Sequence, residues 1–179
     1  KRHNFYSDYE VGFNDKGIIE GVKIKLLSRC GISPDLSGAI NGRALLHIDN
    51  AYYLSDVLVE NYLCKTNTSS STAFRGFGGN QGMMIIENIV DNVAKYLRKD
   101  SAEVRKLNFY QKNKKNTTHY GMKIKDNVIN EIFNKLIKSS DYKKRRLKIK
   151  KFNLKNKYLK KGIAITPVKF GISFTTTHL

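Results

Sequence analysis

The chain has 179 residues, 40% of them hydrophobic, with 10 Tyr and 9 Phe, a composition that argues for a packed core and against disorder. No apolar run approaches the roughly 20 residues that span a bilayer, and two isolated cysteines, Cys30 and Cys64, exclude a disulfide framework and point to a reduced, cytoplasmic setting. The net charge of +18 is concentrated: Lys143 to Lys161 holds 11 basic residues in 19 positions and no acid, and outside it 22 basic residues face 15 acidic ones. That run could attract phosphates, but no base-reading motif accompanies it, so a solvated helix face is the better reading and nucleic acid is not an expected partner.

In chain order, Phe5 to Phe13 and Ile18 to Leu27 read as strands joined by the turn Asn14-Asp15-Lys16-Gly17, and Val22, Ile24 and Leu26 alternate with charged residues as in a half-buried strand. Ser33 to Gly38 breaks the pattern. Arg43 to Tyr52 is a compact mixed segment with a short helix, and Val57 to Leu63 is a further strand. Ile86, Ile89, Val90, Val93 and Leu97 then fall at helical spacing, predicting a helix over 81–97. Asp100 with Glu103 has the form of a capping box that opens a second helix ending near Leu107. The Lys/Asn/Thr-rich stretch from Gln111 to Thr118 is the best candidate boundary. Beyond it, Val128, Ile129, Ile132, Phe133, Leu136 and Ile137 form the apolar stripe of a third helix, and Gly162 to Thr176 returns to strand chemistry. The predicted class is mixed α+β. The first strand begins almost at residue 1 and the last has no partner after it, which suggests an excerpt from a longer polypeptide.

The stretch FRGFGGNQG, Phe74 to Gly82, places four glycines, two phenylalanines and an arginine in nine residues. A phosphate-binding loop requires Gly-Lys followed by Ser or Thr, and a dinucleotide fingerprint requires a glycine at 81, where this chain has Gln. Neither fits. Two readings remain: a loop that brings backbone N–H groups and Arg75 to an anionic ligand at a helix N-terminus, or a tight strand-to-helix turn with Phe74 and Phe77 as core plugs. The four histidines, His3, His47, His119 and His178, are dispersed and read as packing or surface residues.

Five stretches, KRHNFYSDYEVGF, GRALLHIDNAYYL, CKTNTSSSTAFRGFGGNQGM, EVRKLNFY and PVKFGISFT, together resemble the molybdenum-binding subunit of the xanthine dehydrogenase family of molybdenum hydroxylases, in order and at matching spacing. The resemblance implies parts of two molybdopterin-binding domains, residues 1–112 closing the first and 113–179 opening the second. It implies hydroxylation of xanthine and hypoxanthine at a molybdenum–pterin centre, with iron–sulfur clusters and FAD on partner domains or a partner subunit. Residue by residue, it implies that Arg43 hydrogen-bonds the purine and that Phe77 and Phe174 enclose its ring. The resemblance also implies that Thr175 contacts substrate, that Arg75 contacts the pterin cofactor near the metal without ligating it, and that Gly76, Gly78 and Gly79 keep the backbone close to the cofactor. Arg43 favours purine substrates, since aldehyde oxidases usually lack that arginine. The family's general base, a glutamate, is implied to lie beyond Leu179, so no residue here is assigned a catalytic base role; Glu87 reads as a helix-face residue and Glu103 as a cap. Asn80 stands where the family usually has Pro. A non-catalytic remnant of the same subunit and, remotely, a basic nucleic-acid-binding protein are the alternatives.

Overall fold

The computed structural model describes residues 1–171. Strand β1 (Phe5–Phe13) pairs antiparallel with β2 (Ile19–Gly31) through the predicted turn, where Asn14 Oδ1 accepts from the Lys16 and Ile18 amides. Strand β2 continues past the predicted Leu27. Its inward positions Val22, Ile24, Leu26, Ser28 and Cys30 are all buried, so the period of two persists after the side chains turn polar.

Helix α1 (Ser37–Leu46) starts well before the mixed segment predicted from Arg43. It buries Ser37, Ile40, Asn41 and Ala44, a helical spacing hidden from an apolar pattern by two polar members and two glycines. The chain then enters β3 (Val57–Lys65), which runs parallel to β2, so β2, α1 and β3 form a βαβ unit in a sheet of order β1-β2-β3.

Helix α2 (Gly79–Tyr96) carries the predicted apolar stripe and buries Ile85, Ile86, Ile89, Val90 and Val93 against the sheet and α1. Helix α3 (Ser101–Asn108) is capped by Asp100, whose carboxylate accepts from the Ala102 amide at 2.8 Å. The same carboxylate accepts from the Tyr142 hydroxyl and pairs with Arg146, tying the later helices to the first body. Of the stripe expected on α4 (Ile129–Ser139), Phe133 is buried and packs edge-on against Phe109 at 5.1 Å, with Ile129 and Ile137 partly covered, whereas Val128, Ile132 and Leu136 remain exposed. The basic run forms α5 (Tyr142–Lys155), in which Tyr142 is the buried residue. This is a solvated helix, as its composition predicts.

The expected strand over 162–176 is not formed in its described part, residues 162–171. Ile165 and Pro167 are buried between exposed neighbours, an alternation like that of a strand. Side chains, not a β-ladder, take its backbone groups. Asn50 donates to Pro167 O at 3.0 Å and accepts from the Lys169 amide at 2.9 Å, so the partner's regular spacing is missing and no sheet propagates.

Candidate functional site

The glycine loop lies between β3 and α2, and its backbone explains its composition. Gly76, Phe77 and Gly78 have φ of +90°, +47° and +93° in succession. Two of these positions suit glycine. The third is a half-buried phenylalanine held in the left-handed region, an arrangement that costs about 1–3 kcal/mol and tends to mark functional sites. Hydrogen bonds from the Phe77 amide to Phe74 O at 2.8 Å and from the Gly79 amide to Gly76 O at 2.9 Å close the turn.

The glycines meet protein at close range. A Cβ at Gly78 would stand 1.9 Å from Ile40 O, and one at Gly82 would stand 2.2 Å from Ala44 O. Residues 78 and 82 thus form a Gly-x-x-x-Gly face laid directly on the Ile40–Ala44 ridge of α1. Gly79 leaves room for Phe170, whose Cε2 would be 2.7 Å from an added Cβ. Close helix packing therefore accounts for Gly78 and Gly82, and Gly76 faces the Asn80 side chain.

That packing brings the last turn of α1 to the start of α2. Arg43 lies there, half-buried, with Nη2 donating to Gly171 O at 2.6 Å and its guanidinium 4.7 Å from the centre of the Phe170 ring. One turn later, His47 is 1% exposed, with Nδ1 2.9 Å from Arg43 O and its ring 4.9 Å from that of Phe170. The Gly171 amide donates to His47 Nε2 at 3.2 Å, so Nδ1 carries the proton and the ring is neutral. Burial, the largest influence, lowers the His47 pKa from 6.5, and the Arg43 and Lys169 charges act in the same direction.

Behind this cluster is a buried polar network. Asp49 Oδ2 accepts from Lys169 Nζ at 2.5 Å and from the Tyr110 hydroxyl at 2.6 Å, and Asn50 joins the 167–169 backbone to Glu87. Glu87 also accepts from the Tyr52 hydroxyl and from Arg105 Nε, while Arg105 Nη2 reaches Asp91. Burial first, then the neighbouring carboxylates, raises the Tyr52 and Tyr110 pKa values. Glu87, read from sequence as a helix-face residue, is therefore a structural acceptor.

Of the residues singled out from sequence, Arg43, Phe77 and the three glycines gather where α1 crosses the loop before α2. Arg75 is on the same loop with its side chain exposed. Phe174 and Thr175 lie outside the described residues. His47, Asn50 and Phe170 were missed as site residues, since each acts through partners more than 30 positions away. A cleft of about 720 Å³ between α5, Asp100 and Gly162 is remote from this cluster in its lining residues.

The molybdopterin cofactor-binding domain matches residues 1–109. The chain belongs to this family. Its molybdopterin-binding family fold recurs in the aldehyde oxidoreductase of Desulfovibrio desulfuricans, with TM-score 0.75 at 22% identity over 84% of this chain and 16% of that one. The CO dehydrogenase of Oligotropha carboxidovorans gives TM-score 0.74 at 18% identity over 84% of this chain and 19% of that one. In sequence the chain is similar to the xanthine dehydrogenase of Dictyostelium discoideum, 40% identical over 178 residues, and to the xanthine dehydrogenase/oxidase of Gallus gallus, 42% identical over 178 residues. Each alignment covers 99% of this chain and 13% of the relative, so the chain spans about one eighth of those proteins' length. Among the described residues no helix is long and apolar enough to cross a membrane.

Proposed function

We propose that this chain is part of the molybdenum-cofactor subunit of a xanthine dehydrogenase, supplying one wall of a purine slot and the edge of the molybdopterin site. The observation that carries the reading is Arg43: it lies in a segment shared with xanthine dehydrogenase relatives and is held by Gly171 O beside the glycine loop.

The loop residues fit an anionic, hydrogen-bonding group. Arg75 offers an exposed guanidinium near the N-terminus of α2, where the helix dipole favours negative charge. Nearby, the buried oxygens Asn80 Oδ1 and Gln81 Oε1 have no hydrogen-bond partner among the described residues, which suits a ligand carrying both N–H donors and anionic oxygens. Arg75 with the Gly76–Gly79 backbone would hold the cofactor, Arg75 near the metal without ligating it. When bound, that group supplies oxygen transfer to the purine and uptake of an electron pair.

This chain's own residues bind and orient. Arg43 would hydrogen-bond an oxo group of xanthine or hypoxanthine and stabilise the negative charge that develops there. Phe77 and Phe174 would enclose the flat ring, worth about 1 kcal/mol each beyond burial, with Thr175 beside it. Packing Phe170 under the Arg43 guanidinium fixes the plane of the fork before substrate arrives. The general base comes from residues outside this chain, so the chain alone is inactive. Residues 1–112 and 113–179 belong to successive molybdopterin-binding domains, and electrons leave through iron–sulfur clusters and FAD on partner domains of a cytoplasmic enzyme.

The test is Arg43→Met in the full-length enzyme. Loss of one preorganised donor to the reacting charge should lower xanthine kcat/KM roughly 10²–10³-fold, with a Tm decrease of no more than about 4 °C. Unchanged purine turnover, or activity loss that merely tracks unfolding, would refute the assignment.

A further inference from the structure

The two polar groups of Gly171 are both held by the C-terminal end of α1. Its carbonyl accepts from Arg43 Nη2 at 2.6 Å, and its amide donates to His47 Nε2 at 3.2 Å. The other ring nitrogen of His47 donates back to Arg43 O at 2.9 Å, closing a loop of three hydrogen bonds. Arg43 is in the last turn of α1 and His47 is its C-cap, one helical turn on, so a single rigid element grips Gly171 from both sides. The ring has no room to swing: it is 1% exposed and lies 4.9 Å from the Phe170 ring, and a Cβ at Gly79 would already touch it at 3.4 Å.

We propose that His47 is a positioning residue for the purine slot, fixing the spacing between Arg43 and the segment that leads into Phe174 and Thr175. The role rests on the purine reading above. Because a backbone amide can only donate, the grip requires an acceptor at the place of Nε2, and because Arg43 O can only accept, it requires a donor at the place of Nδ1. Neutral histidine in one tautomer meets both requirements in a site closed to water. Without the acceptor, Gly171 loses its tie to His47, and Arg43 then serves the wall and the substrate without a fixed spacing between them.

Two substitutions in the full-length enzyme separate this role from generic core packing. His47→Gln retains an acceptor near the position of Nε2, whereas the shorter His47→Asn retains only the donor to Arg43 O. Amide hydrogen exchange at Gly171 should accelerate roughly fivefold to tenfold in the Asn variant, the loss of about one hydrogen bond, and should return towards wild type in the Gln variant. Xanthine kcat/KM should fall by a similar factor in the Asn variant, because a loosened Arg43 meets the developing charge less well, and the Gln variant should rescue it. Equal effects of the two variants on exchange, or kcat/KM changes that follow Tm alone, would overturn the proposal. If exchange responds as expected but the wild-type enzyme does not turn over xanthine, the purine reading falls and takes the substrate role with it, while the grip on Gly171 stands.

Discussion

Replacing Gly82 with alanine sets two known effects against each other. Position 82 is within α2, where alanine is favoured over glycine by about 1 kcal/mol. The added methyl group, however, would stand 2.2 Å from Ala44 O and 3.1 Å from Ala44 C, both backbone atoms of α1 that cannot rotate away. Relieving that overlap requires the helices to separate by roughly 1 Å, and overpacking of a tight contact costs about 1–3 kcal/mol, with a backbone obstacle at the upper end. The net expectation is a loss of about 1–2 kcal/mol. Gly38 and Gly42, in α1, provide the control: a Cβ there meets nothing within 4 Å, so alanine should stabilise by up to about 1 kcal/mol. Native-state hydrogen exchange of α1 and α2 in the full-length protein reads both effects locally. Faster exchange for Gly82→Ala and slower exchange for Gly38→Ala is the expected pair of results. Stabilisation by Gly82→Ala would refute the claim that Gly82 is there for helix contact.

Three further outcomes follow from the network and the charges. Arg105→Met should destabilise by about 3–5 kcal/mol, because it strands the Glu87 carboxylate among buried groups; denaturant titration with a loss below about 1 kcal/mol would contradict this. His3, His47 and His119 all have pKa values lowered from 6.5, chiefly by burial. In the unfolded chain they protonate first as pH falls, so their contribution to stability is complete above about pH 6.5 and is lost below it, down through the folded values. Tm measured between about pH 7.5 and 5.5 should therefore fall, and His47→Gln should flatten the slope; an unchanged slope would count against a neutral His47. Neutralising Lys148 and Lys151 on α5 should shift Tm by less than the equivalent of about 0.5 kcal/mol, since both are exposed.

The elements with an unbroken apolar period were legible in sequence: β1, the core of β2, α2 and α4 appear where alternation or helical spacing placed them. The first half of helix α1 is not legible, because Ser37 and Asn41 occupy its inward positions and burial of polar residues leaves no hydropathy signal. The residue types over 162–171 have strand chemistry, yet Asn50 and His47 supply the hydrogen bonds a neighbouring strand would supply. The loop glycines were legible as a need for bare backbone but not for their partner, since the contact with Ile40 and Ala44 is set by the fold. The same holds for His47 and for the Glu87–Arg105 pair, whose roles depend on residues far away in the chain.

The most direct measurement is a structure of the complete molybdenum subunit with xanthine bound. The account predicts the Arg43 guanidinium within hydrogen-bonding distance of a purine oxygen, Phe77 and Phe174 on either side of the ring, and Arg75 against the pterin group. A purine seated elsewhere, with Arg43 and the two phenylalanines directed to separate regions, would contradict it.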